Sequence, residues 1–201
     1  MTPAWPVVLV TGVGAAGGSR AAAAALACAG SEPDRASLLV DLDSGRAARP
    51  ALIATAAARE LEERLAIHLP QAAVASRGQI CRLTLPTEPN GLDGVGAALP
   101  AVRDSVAVIH LPPRALQATL GDPRIRPTAV LLRADLAADR ALTALAVRDL
   151  IERELRVAVL KRPPGWLAAR RALLGGLPGR YDGIPARVRE RLLGDDVPPR
   201  I

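Results

Sequence analysis

The sequence predicts a doubly wound α/β fold, a mostly parallel sheet with helices on both faces. Three observations carry that expectation. Short runs of Val, Ile and Leu recur along the chain, as strands do when both faces of a sheet are covered. Helical segments alternate with these runs, the order that builds parallel sheets through crossover units. The first run ends in a glycine-rich turn that leads into an alanine-rich helix, all within residues 7–27.

The elements follow in order. Val7-Val8-Leu9-Val10 is apolar and β-branched and predicts a buried strand. Residues 12–18 form the turn, and residues 19–29 predict a helix with Gly30 as its stop. A polar connection over 31–35 leads to a second strand, Ser37-Leu38-Leu39-Val40-Asp41. Residues 51–66 read as a helix with Leu52, Leu61 and Leu65 set among Glu and Arg, and residues 80–85 as a strand. Residues 87–96, rich in Gly, Pro, Asn and Asp, predict a loop. Residues 106–111 predict a strand closed by Pro112-Pro113, and 114–120 a helix. Beyond them come a strand at 129–132, an amphipathic helix at 139–154 and a strand at 157–160. Helices are expected at 166–174 and 185–193. No repeat or heptad seam interrupts this order. The expected division is an α/β domain over 1–174 and an Arg-rich tail with a short helix over 175–201.

The chain has 201 residues and is 50% hydrophobic, enough for one sizeable core. That core must be aliphatic, because there is no Phe, and Tyr181, Trp5 and Trp166 are the only aromatics. Net charge is +6, with Lys161 as the only lysine. A basic balance can favour nucleic acid or an anionic surface. Here the arginines are dispersed among Asp and Glu and are not interleaved with aromatics, so stacking on single strands has no support. Cys28 and Cys81 lack metal or C-x-x-C spacing, and His68 and His110 do not cluster with them, which argues for free thiols and against zinc. No stretch reaches the roughly 18 apolar residues of a membrane span, and no signal peptide is read. The expected location is the cytoplasm, with the membrane periphery as the alternative.

The turn reads Gly12-Val13-Gly14-Ala15-Ala16-Gly17-Gly18-Ser19. Two phosphate-binding patterns fit it. The dinucleotide fingerprint G-x-G-x-x-G is met by Gly12, Gly14 and Gly17, with Asp41 at the second strand's end as the ribose-binding acid. Asp41 lies 24 residues after Gly17, long against the usual figure of about 20. This pattern implies NAD(P). The other pattern is G-x-x-x-x-G-K-[ST], met by Gly12, Gly17 and Ser19 with Gly18 in the lysine position. It implies ATP or ADP, with Ser19 as a magnesium ligand if nucleotide binds. Arg20 stands one residue too late to replace the lysine simply, since one helical step turns a side chain by about 100°.

These residues resemble the MinD/ParA family of P-loop ATPases, including its CpaE-type pilus-assembly members. That family's loop has the form G-K-G-G-x-G-K-[ST]. Val13 stands at the signature lysine and Gly18 at the P-loop lysine. Leu39-Val40-Asp41-Leu42-Asp43 is similar to the family's D-x-D switch, and Val108-Ile109-His110-Leu111-Pro112-Pro113 to its later D-x-P strand, with His110 in place of the aspartate. The resemblance covers residues 7–160. It implies a nucleotide site at Gly12, Gly14, Gly17, Gly18, Ser19 and Arg20, switch positions at Asp43 and His110, and Asp41 as the residue that positions an attacking water. It also implies a homodimer formed over nucleotide, and protein partners in cell-pole or division-site placement or in pilus and secretion assembly. With both lysines and the later aspartate replaced, it implies a pseudo-ATPase, a regulatory or positioning component with hydrolysis weak or lost.

Other classes remain open on the residues alone: an NAD(P)-dependent oxidoreductase, a non-catalytic interaction module, and a basic DNA-associated protein. The glycines also fit a purely structural turn that packs a helix on a sheet. In the tail, Arg187, Arg189 and Arg191 beside Val188, Leu192 and Leu193 predict a solvated or partner-docking helix rather than a membrane-lying one.

Overall fold

A computed structural model describes residues 5–14, 18–32, 34–42, 54–70, 72–85, 91–102, 105–135, 139–162 and 184–194. The expected helix at 166–174, Asp43 and Gly17 lie outside these residues. The strands are β1 (Val7–Gly12), β2 (Ser37–Asp41), β3 (Ala73–Arg77), β4 (Ile80–Thr84), β5 (Ala107–His110), β6 (Ala129–Arg133) and β7 (Arg156–Leu160). The described helices are α1 (Ser19–Gly30), α2 (Ala56–His68), α3 (Gly91–Ala98), α4 (Leu116–Gly121), α5 (Arg140–Glu152) and α6 (Ala186–Leu193).

The strands make one seven-stranded sheet in the order β3-β4-β2-β5-β1-β6-β7. Every pairing is parallel except β3 with β4. Alternation along each strand divides the apolar residues between two cores. On one face Leu9, Leu38, Val40, Ile109 and Leu132 meet Leu61 and Leu65 of α2, Val95 of α3 and Leu150 of α5. On the other, Val8, Val10, Leu39, Val108 and Leu131 meet the alanines of α1 and Leu192 of α6. The sheet is therefore wound on both faces, as its continuous aliphatic runs predict.

Helix α1 is buried from Ala22 through Cys28. A helix that is apolar all round belongs inside a protein, and alanine lets it lie close to the sheet. Gly30 is its last helical residue and not a left-handed stop. A Cβ there would approach Val106 Cγ2 at 3.0 Å, so the glycine serves a close contact. The hydroxyl of Ser31 ends the helix by donating to the Cys28 carbonyl at 2.8 Å. Both cysteines are buried free thiols, and burial pushes the Cys81 thiol up to about 12.

Two further expectations are corrected, and one strand is added. The loop expected at 87–96 contains α3 from Gly91. Its glycines do not break it, because Gly94 makes room for Leu85, whose Cδ1 lies 2.8 Å from where a Cβ would be. Strand β3 was not read from the sequence, where its small residues give a weak signal. It folds back on β4 through Gly78 and Gln79, with Gly78 at φ +57°. The C-terminal helix leaves Arg187 and Arg191 exposed but is not wholly solvated. Leu192 is fully buried against the α1 face, so α6 is part of the core.

Candidate functional site

Chain order reverses at the β5–β1 pair. From β1 the chain moves out to β2 and then to β3 at the edge, comes back through β4 to β5, then crosses to β6 and β7. Open α/β sheets place ligands beyond the carboxyl ends of their strands at such a switch point. Register and alternation set one row of side chains there, beneath the start of α1. Asp41 pairs with His110, Val10 with His110, and Gly12 with Arg133. Asp41, His110, Arg82 and Arg133 each lie two residues after Leu39, Val108, Ile80 and Leu131, which all belong to the α1-side core, and so share that face.

Asp41 is the centre of this row and is 1% exposed. Its Oδ1 accepts from His110 Nδ1 at 3.0 Å. Its Oδ2 is ion-paired to Arg20 Nε at 2.7 Å and to Arg82 Nη2. Burial alone would push the carboxyl up. The hydrogen bond from His110 and the charges of Arg20, His110 and Arg82 outweigh burial and hold it well below the usual carboxylate range. With Asp41 ionised and able only to accept, Nδ1 of His110 donates to it, and Nε2 on the other side of the ring lies 3.1 Å from Ser19 Oγ.

The chain Ser19–His110–Asp41 has the connectivity by which a base activates a hydroxyl nucleophile. Its electrostatics differ from such a triad. Activation needs an aspartate whose negative charge stabilises the imidazolium, and two guanidinium groups already neutralise Asp41. The arrangement is better suited to locking the ends of β2, β5 and α1 together than to moving a proton.

The same geometry bears on magnesium. Ser19 Oγ is engaged by His110, and both Asp41 oxygens face cationic or N–H donors. Among the described residues no group of three or more His, Cys, Asp or Glu side chains could hold a metal. Among the described residues these groups do not fit a magnesium site, and Arg20 and Arg82 supply positive charge beside Asp41.

The glycines fare differently from one another. Gly12 ends β1 within the row. Gly14 has φ +57°, and a Cβ on it would lie 2.3 Å from Asp139 Oδ1. That glycine admits a carboxylate at the start of α5, on the side where the dinucleotide pattern expects close approach of pyrophosphate. Gly18 caps α1 at φ 86°, outside the helix and in the left-handed region. A lysine there would be strained, so the missing charge is not one substitution away. Val13 is buried in the core, and its N–H donates to the Arg133 carbonyl at 2.9 Å. Arg20 is committed to Asp41.

Two participants went unread in the sequence, Arg82 and Arg133. Each is a charge inside or ending an aliphatic strand, which was the available signal.

Among the described residues, no helix is long and apolar enough to cross a membrane. Compared with protein-family models the sequence matches none, and comparison with curated proteins gives no significant match. What stands at this point is an α/β fold with a mostly parallel seven-stranded sheet and a glycine loop at its switch point.

Proposed function

We propose that this chain is a degenerate MinD/ParA-like P-loop protein, a regulatory or positioning component that has lost metal-dependent ATP hydrolysis. The saturation of Asp41 by Arg20, Arg82 and His110 carries the proposal. A carboxylate that must order water or a metal needs a free oxygen, and here each one faces a cation or an N–H donor. The departures read from the sequence fit the same account, since the switch strands keep their places while their charges pair internally.

Strand order supports this reading over a dinucleotide-binding oxidoreductase. The dinucleotide fold sets strand two directly beside strand one. Here β5 separates them, and Asp41 is already engaged. A homodimer built on the signature lysine is not expected, because Val13 is a core residue. Protein partners in pole placement or in pilus or secretion assembly are the corresponding class of ligand.

Calorimetry with ATP, ADP and NADH, with and without magnesium, together with a phosphate-release assay, tests the proposal. The expected result is binding of adenine nucleotide that magnesium does not strengthen, no binding of NADH, and no magnesium-stimulated turnover. Magnesium-dependent ATP hydrolysis by pure protein, or binding of NADH alone, overturns it.

A further inference from the structure

Arg133 closes β6 on the α1 side of the sheet, beside Gly12 at the entrance to the glycine loop. It is 8% exposed, and its buried Nε and Nη1 have no hydrogen-bond partner. A guanidinium does not shed its proton to escape burial, as a lysine or histidine can. A buried cation without a counter-charge is costly to keep unless something completes it. Its own carbonyl takes the N–H of Val13 at 2.9 Å, which ties this arginine's backbone to the loop.

The start of α1 supplies the second half of a site. No side chain caps this 12-residue helix, and no acidic residue lies in its first turn. The first intrahelical bond runs from Ala22 N–H to the Gly18 carbonyl, so the amides of Ser19, Arg20 and Ala21 precede the helical ladder. Such amides and the positive end of the helix dipole attract an oxyanion. Two described carboxylates at this end of the sheet have contacts of their own. Asp41 is engaged by Arg20, Arg82 and His110, and Asp139 lies against Gly14.

We propose that Arg133 and the N-terminus of α1 form a metal-free receptor for a phosphoryl oxyanion, with Arg133 supplying the positive charge that Gly18 does not. The inference rests on the P-loop-like reading above for the use of the loop, and on the unpaired Nε and Nη1 of Arg133 for the charge. A planar guanidinium binds phosphate oxygens in a bidentate fork, which a point-charge lysine does not.

Thermal denaturation and calorimetry of the full chain test this, in phosphate-free buffer containing a chelator. Pyrophosphate, inorganic phosphate and ADP are the probes, with chloride at matched ionic strength as control. Pyrophosphate is expected to raise the melting temperature where chloride does not. Arg133→Met is expected to weaken pyrophosphate binding at least about tenfold while leaving the probe-free melting temperature unchanged or higher, since an uncompensated charge is removed. Arg133→Lys, which keeps the charge, guards against misfolding and is expected to retain part of the binding. The exposed Arg114→Met is expected to bind as the wild type does. No pyrophosphate effect beyond chloride, or wild-type binding by Arg133→Met, overturns the proposal. ADP binding that survives in Arg133→Met removes this arginine but leaves the nucleotide reading. Arg133-dependent pyrophosphate binding without any adenine nucleotide binding does the reverse.

Discussion

Asp41 shows how a single side chain sets what this site can do. A buried carboxylate is tolerable only when paired, and here the pairing is complete. Asp41→Asn keeps the shape and removes the charge, leaving Arg82 and half-exposed Arg20 opposite a neutral amide. It is expected to cost about 3 kcal/mol at neutral pH, measured by urea denaturation. The pH dependence has a definite sign. Because folding depresses this pKa, Asp41 contributes its full stability above the unfolded value near ~4 and loses it as pH falls further. The gap between wild type and Asp41→Asn should therefore shrink on acidification below about pH 4. An unchanged gap down to about pH 2 would mean that the ion pairs are not the source. Gly14 makes the complementary point, since its freedom accommodates a neighbouring carboxylate and is not evidence of a ligand.

At the scale of elements, α1 ties the site to the core. Its alanines from Ala22 to Ala27 are all fully buried, so the helix has no face with room to spare. Ala24→Leu is expected to destabilise the protein by about 1–3 kcal/mol through overpacking. It should also disturb Ser19 and Arg20, because any shift of the helix moves its first turn. A stability loss under about 0.5 kcal/mol would show that α1 is loosely seated. Helix α6 closes the same layer through Leu192 and Ile184, joining the C-terminal part of the chain to the α1 face. Helix α3 shows that glycine is a breaker only in the absence of tertiary contacts. Buried Gly94 is small where Leu85 approaches closely.

For the molecule as a whole, the strand order decides most. β1 lies between β5 and β6, shielded on both sides, while β3 is an edge strand. Native-state hydrogen exchange should find the slowest amides in β1 and β5, with β3 exchanging about tenfold faster or more. Equal protection in β3 would show that its outer edge is covered in solution. The antiparallel β3–β4 pair also lets the chain reach that edge and return to β5, which creates the switch point on which the site stands.

Much of this was legible in the sequence because it depends on local pattern. Aliphatic runs with both faces covered can only be interior strands, and their alternation with helical segments implies a parallel sheet. The glycine turn before an alanine helix pointed to the candidate end of that sheet, and Gly12, Ser19, Asp41 and His110 were read as members of one site from their motif positions. What the sequence could not express was contact across the sheet. Asp41 and His110 are 69 residues apart in the chain and 3.0 Å apart in space, and only the register of β2 on β5 joins them. Arg82 and Arg133 match no motif, yet they decide the electrostatics, because a charge acts through distance and burial and not through position in the chain. The sequence by itself determined the fold class and pointed to one end of the sheet as the candidate site. Tertiary structure alone decided that the acid there is already neutralised and that one buried arginine is not, since only packing determines which charges meet.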